Sequence, residues 1–220
     1  VRYTDDQKVA QIWRHNFNGT DRLPVPGFTT QTSPGTVIVD EDKVSPTVGI
    51  DYQMNDNVML FALYSTGFRG GGFSPRASNG LQLAPFLSEE LQNFEVGVKS
   101  EMFDDTFRVN ANLFFSTYTD QQVFLGTLDP SGALWFRQTN SGESEYWGVE
   151  VETMWRPGEN FSLDGALGYI HHELTDPGVA NTCITFQNGD PCYSTRTPEW
   201  TFALGGAYEF KLRDGGSGTA

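Results

Sequence analysis

Three groups of side chains in this sequence have types and spacings that could do chemistry. Phe68-Arg69-Gly70-Gly71-Gly72-Phe73 sets three glycines beside a cation, the composition of a loop whose amides could cradle an anion. It lacks the Lys-Ser/Thr that completes a phosphate loop, and no helical pattern follows. The glycines therefore read first as backbone that must bend closely. His171 and His172 stand beside Glu173. Neighbouring residues on a strand point to opposite faces, so the two imidazoles cannot readily share one metal ion. A polar strand end is one reading, and ligand contact by one of the pair is the other. Glu95, Glu101, Glu150, Glu152 and Asp164 recur along alternating stretches. General acid catalysis needs two carboxyl groups held about a substrate with separated pKa values, and the spacing supplies no such pair. His15, His171 and His172 are the histidines available as bases, and none lies in a nucleophile-elbow pattern. These residues predict no enzyme, no resident cofactor and no metal site.

Cys183 and Cys192 bracket a polar stretch, CITFQNGDPC. A local disulfide in an oxidising compartment is the preferred reading, with free thiols as the alternative and few soft ligands nearby for a metal. The formal charge of −14 argues against a nucleic-acid partner, because phosphate binding needs a basic footprint. Such a charge suits either a solvated acidic surface or acidic loops that face a cation.

The elements that must position these residues are strands. Residues 91–122 form the clearest hairpin. On its first arm Phe94, Val96 and Val98 fall on one face and Asn93, Glu95, Lys99 and Glu101 on the other. The second arm sets Phe107, Val109, Ala111, Leu113 and Phe115 against Arg108, Asn110, Asn112 and Ser116, and Asp104 and Asp105 supply the turn. Each arm reaches the roughly 9–11 residues that a tilted strand needs to cross a bilayer, whereas globular strands usually stop at about 5–6. No stretch is long and apolar enough for a transmembrane helix, which leaves a β-barrel open.

Taken in order, the chain predicts a strand end at 1–3, a turn at 4–8, a strand at 9–17 and a long loop at 18–42. A strand over 43–52, a turn at 54–57, a strand over 58–67 and a long loop over 68–88 lead into the hairpin. Beyond it come a loop at 124–133, a long strand over 135–155 with an irregular middle at 141–144 as the variant, and a turn at 156–160. A strand over 161–173, the cysteine loop over 174–197, a last strand over 198–211 and a turn-like 212–220 complete it. Short turns and long loops alternate, which sorts them to opposite ends of one sheet. Outer-membrane barrels have that asymmetry, with short periplasmic turns and longer extracellular loops. The fold class expected is all-β, an antiparallel transmembrane β-barrel in part, built as a meander of hairpins.

YSTGFRGGGFSP over 64–75, the 91–122 hairpin with its E-x-G-x-K, GVEVETMWRPGENFSLDGALGYIHHEL over 148–174 and TPEWTFALGGAYEF over 197–210 together resemble the C-terminal half of the barrel in TonB-dependent outer-membrane receptors. The resemblance implies a plugged barrel of about 22 strands, in the outer membrane of a Gram-negative bacterium. It implies uptake of a ferric siderophore or similar bulky nutrient, energised by the TonB complex through an N-terminal plug, with outer-membrane lipid around the barrel. Residues 1–220 are expected to be a partial receptor barrel of about eight or nine strands, with no plug domain and no closing strand. The resemblance also implies ligand contact by the glycine-rich loop: Arg69 as an anion contact through its planar fork, flanked by Phe68 and Phe73. Of the histidine pair at the strand end, His171 is the one expected to touch ligand. A passive porin and a secreted carbohydrate-binding β-sandwich are the rival readings.

Overall fold

The computed structural model describes residues 1–11, 14–15, 22–23, 36–74, 84–128, 134–176, 178, 197–211 and 217–219. Fourteen strands account for nearly all of them: β1 Arg2–Gln11, β2 Arg14–His15, β3 Arg22–Leu23, β4 Thr36–Ser45, β5 Thr47–Asn55, β6 Val58–Arg69 and β7 Glu89–Met102. The rest are β8 Phe107–Thr119, β9 Gln122–Leu128, β10 Leu134–Asn140, β11 Glu143–Gly158, β12 Phe161–Asp176, β13 Trp200–Lys211 and β14 Ser217–Thr219. Eight of them form one antiparallel sheet in the order β14-β13-β12-β11-β8-β7-β6-β5. The ends do not meet, so the sheet is part of a barrel wall.

The register places every alternating pattern in phase. Phe94 faces Phe115, Phe115 faces Trp147, and Trp147 faces His171 across successive ladders. Paired residues share a face, so one apolar surface runs across the sheet. It is bare: Phe202 is 86% exposed, Leu204 76% and Ile50 69%. Among the described residues only Val37, Val39 and Phe86 are buried apolar side chains. A β-sandwich would bury this face against a second sheet, which removes that rival; bilayer is the solvent such a face fits.

The opposite face is polar and lines a trough of about 800 Å³, to which Asp51, Glu95, Lys99, Asn110, Asn112, Glu150 and Glu152 contribute. Both recurrent motifs have a packing cause here. In E-x-G-x-K, a Cβ on Gly97 would lie 2.6 Å from the Ala111 carbonyl and collide with the Phe61 ring, over which Lys99 Nζ sits 5.5 Å from the centroid. In G-x-E-x-E, a Cβ on Gly148 would lie 2.6 Å from Phe114 Cζ. Each glycine lets a cross-strand aromatic ring lie flat on the inner wall while its neighbours keep their charge in the lumen.

Three short turns hold. Residues 103–106 link β7 to β8, with Phe103, Asp104 and Asp105 at φ of 57°, 55° and 62°. Thr106 Oγ1 donates to the Phe103 carbonyl at 2.7 Å and closes this left-handed run. The other two fall at 56–57 and 159–160.

Elsewhere the expected boundaries give way. The turn at 4–8 is instead the middle of β1, and residues 36–42 of the expected loop are β4, paired with β1 over ten positions from Arg2↔Ser45 to Gln11↔Thr36. Tyr3 donates to Asp42 at 3.0 Å and Lys8 pairs with Asp6 at 3.0 Å, so partnered charge and a full ladder override the turn preference of Asp. The strand expected over 43–52 breaks at Pro46, between β4 and β5. Of the loop expected over 124–133, residues 124–128 are strand, part of β9, which pairs with β10 from Gln122↔Asn140 to Leu128↔Leu134, and residues 129–133 lie outside the described residues. Over 135–155 the variant with an irregular middle holds, since Ser141 and Gly142 separate β10 from β11, and part of the terminal segment is β14. Cys183 and Cys192 lie outside the described residues.

Candidate functional site

The candidate site is the upper rim, where four segments meet at the end of the wall opposite the tight turns: the glycine loop after β6, residues 86–88 with Glu89 at the start of β7, residues 120–121 with Gln122 at the start of β9, and Asn140 at the end of β10. The ladders end here at Arg69↔Glu89 and Gln122↔Asn140, so the backbone groups just beyond those pairs need other partners.

Side chains provide them. Gly71 N donates to Glu41 Oε2 at 2.7 Å and Ser88 N to Glu41 Oε1 at 2.8 Å, so one carboxylate from β4 holds two amides. Lys8 Nζ donates to the Gly71 carbonyl at 2.7 Å. Gly72 and Phe86 exchange both backbone bonds at 2.9 Å. A Cβ on Gly71 would fall inside contact of the Phe86 carbonyl and 2.7 Å from Glu41 Oε1, which is why this position must lack one. The glycine loop therefore does bend closely, and two of its amides are spent inside the protein: Gly71 N on Glu41 and Gly72 N on Phe86. A backbone anion cradle does not form.

From the far side Gln122 Nε2 reaches the carbonyls of Arg69, Gly70 and Leu87 at 3.2, 3.0 and 3.1 Å, and its Oε1 accepts from Gln138 at 3.2 Å. Asn140 imitates a strand partner to Leu87, accepting its amide at 2.6 Å and donating to its carbonyl at 2.8 Å. The same Nδ2 donates to the carbonyl of Asp120 at 2.9 Å, a residue at φ 53°. Glu89 accepts the Tyr118 hydroxyl at 2.8 Å, the Gln122 amide at 2.6 Å and Arg69 Nη1 at 3.4 Å. Outside the rim, Lys43 pairs with Glu90.

The nominated residues separate by strand parity. Arg69 shares the inner face with its register partner Glu89, and its side chain is 66% exposed. Phe68 pairs with Glu90 on the outward face. His171 also lies outward, its ring 5.1 Å from Trp147, in an aromatic cluster that continues through Tyr169 to Trp200. His172 occupies the inner face, its ring 4.5 Å from Tyr146. Phe73 follows the Gly72↔Phe86 bridge and is half-buried. The structure thus brings Arg69 to the inner rim and carries Phe68 and His171 to the lipid side. Sequence reasoning missed Glu41, Glu89, Gln122 and Asn140, whose partners lie 29 to 53 positions away in the contacts with Gly71, Tyr118, Arg69 and Leu87. No periodic signal marks such a residue.

Below the rim, Asn112 donates to Glu150 at 3.2 Å, Ser116 to Asn93 at 2.7 Å, and Arg108 pairs with Glu101. These bonds cross-link neighbouring strands. Among the described residues no group of His, Cys, Asp and Glu is arranged to hold a metal ion. Among the described residues the wall offers hydrogen bonds and net negative charge, and the rim offers the guanidinium of Arg69.

A family described as "TonB dependent receptor-like, beta-barrel" matches residues 1–219. The pesticin receptor of Yersinia enterocolitica is 27% identical over 139 residues, 62% of this chain and 19% of that protein. The metal-pseudopaline receptor CntO of Pseudomonas aeruginosa is 28% identical over 200 residues, 90% of this chain and 25% of that protein. The chain thus spans a quarter or less of these relatives. Among solved structures, the ferric yersiniabactin uptake receptor FyuA from Yersinia pestis superposes with a TM-score of 0.67 at 18% identity, covering 96% of this chain and 28% of that one. The ferripyoverdine receptor of the Pseudomonas aeruginosa outer membrane gives 0.57 at 16% identity, covering 80% and 22%. These likenesses establish the fold.

Proposed function

Since the chain belongs to the TonB-dependent receptor-like β-barrel family, whose barrels sit in the Gram-negative outer membrane, we propose that the whole protein imports a ferric siderophore or a similar bulky metal chelate. The observation that carries this reading is the pairing of a bare apolar outer face with a charged inner wall that ends in a tightly tied rim. The proteins it resembles are receptors and transporters by name, among them receptors for ferric yersiniabactin, ferripyoverdine and metal-pseudopaline. A lumen for a bulky solute needs a wide wall with polar lining, and eight strands of the kind described supply part of one.

In this reading residues 1–220 are one stretch of barrel domain, and the energy arrives from the TonB complex through a plug carried elsewhere in the polypeptide. Arg69 and Phe73 are the contacts we assign to ligand at the mouth. The inner carboxylates Glu95, Glu150 and Glu152 take hydrogen bonds from lumen water or from the plug, and no bond of the ligand is made or broken. The test is uptake of radiolabelled iron by iron-starved cells with and without the intact gene. Loss of uptake on deletion, and equally on loss of TonB, supports the proposal. Entry of small solutes that persists without TonB would replace it with passive diffusion through a porin.

A further inference from the structure

Among the described residues Glu89 is the most deeply buried charged side chain of the rim, 4% exposed against 66% for its partner Arg69. A carboxylate so removed from water requires donors. It has three: Tyr118, the Gln122 amide and Arg69. Tyr118 and Gln122 belong to β8 and β9 and fix the carboxylate from the wall side. Arg69 is the long, exposed member, and the Glu89 charge decides where its guanidinium rests. That guanidinium carries five N–H donors, and the described contact uses one nitrogen, at 3.4 Å. The amides of Gly71 and Gly72 are already taken, so an anion arriving at this lip has the side chain of Arg69 to meet rather than the glycine backbone.

Building on the receptor reading above, we infer that Glu89 is a positioning residue for anion capture: it holds Arg69 at the inner lip of the mouth, and the chelate taken there presents an exposed carboxylate to that arginine. A planar fork matches a carboxylate in a way that a point charge does not. In a chain of net charge −14 this contact also sets specificity, because the surrounding carboxylates repel an anion that fails to reach Arg69.

The experiment uses the full-length receptor in detergent, arginine modification by phenylglyoxal read at Arg69 by peptide mass spectrometry, and ferric citrate as the carboxylate-bearing probe. Ferric citrate should slow modification of Arg69 in the wild type, and Glu89→Gln should weaken that protection about tenfold, the effect of roughly one charge-assisted hydrogen bond. Tyr118→Phe removes one donor from the same carboxylate yet keeps its charge, and should retain the protection. Equal losses in the two variants would reduce Glu89 to a structural carboxylate, and unchanged protection in Glu89→Gln would remove it from the site. If Glu89→Gln does not assemble, Glu89→Asp replaces it: the charge withdrawn from Arg69 should still cost protection, and full protection would overturn the inference. Absence of protection in the wild type overturns it outright. TonB-dependent iron uptake alongside that absence would leave the receptor reading intact, whereas loss of that uptake itself would count against the reading.

Discussion

The β7–β8 hairpin and the rim above it are adjacent in space and are held together by different physics. In the hairpin, thirteen register pairs from Glu90↔Thr119 to Met102↔Phe107, with the flanking ladders to β6 and β11, satisfy the backbone, and side chains have only to choose a face. At the rim, four irregular segments are tied by Glu41, Glu89, Gln122 and Asn140, each serving two or more groups. The wall is redundant, and its constraint is polarity by face. Each rim residue is a single point of attachment whose constraint is atomic.

That contrast predicts a graded series in unfolding measurements on the full receptor in lipid. Leu113→Arg, on the apolar face near the middle of β8, should cost about 2–4 kcal/mol, whereas Asn112→Arg one residue away should cost little because Glu150 is there to receive it. Equal costs for the two would break the claim that face is the constraint. Gly71→Ala should cost about 1–3 kcal/mol by overpacking against the Phe86 carbonyl and Glu41, with faster proteolysis at the mouth and no change in β-sheet circular dichroism. Gln122→Ala releases three carbonyls and should cost about 1–3 kcal/mol, lost on the same proteolytic readout. A Gln122→Ala protein as resistant as wild type would show that water replaces the side chain at no loss. Asp104→Gly should stabilise slightly, by about 1 kcal/mol, since it relieves a left-handed residue in a turn whose partners are backbone and Thr106.

Legibility follows the same division. Phe94, Val96, Leu113 and Phe115 announce their common face by a period of two, and the ladder obliges them to share it. Asp5 and Asp6 favour a turn locally and residues 36–42 follow a polar stretch rich in Pro and Gly, yet both segments are strand, because the ladder between β1 and β4 pairs their backbones while Lys8 and Tyr3 partner Asp6 and Asp42. His171 illustrates a finer limit. The two histidines were expected on opposite faces, but which one looks inward depends on the register that sets Trp147 against His171. One residue of slip would have exchanged them.

By itself, then, the sequence determined a wall of long antiparallel strands with an apolar and a polar face, tight turns at one end, and motifs specific enough to mark the family. Those features are local or periodic, and a strand's alternation is written residue by residue. Tertiary structure alone decided the rim: that Glu41 closes the glycine loop, that Glu89 stands under Arg69, and that Gln122 gathers the carbonyls of Arg69, Gly70 and Leu87. These contacts join segments tens of residues apart at places where the ladder has ended. There the unpaired backbone takes whichever polar side chain the fold delivers, and no spacing in the chain foretells which one that is.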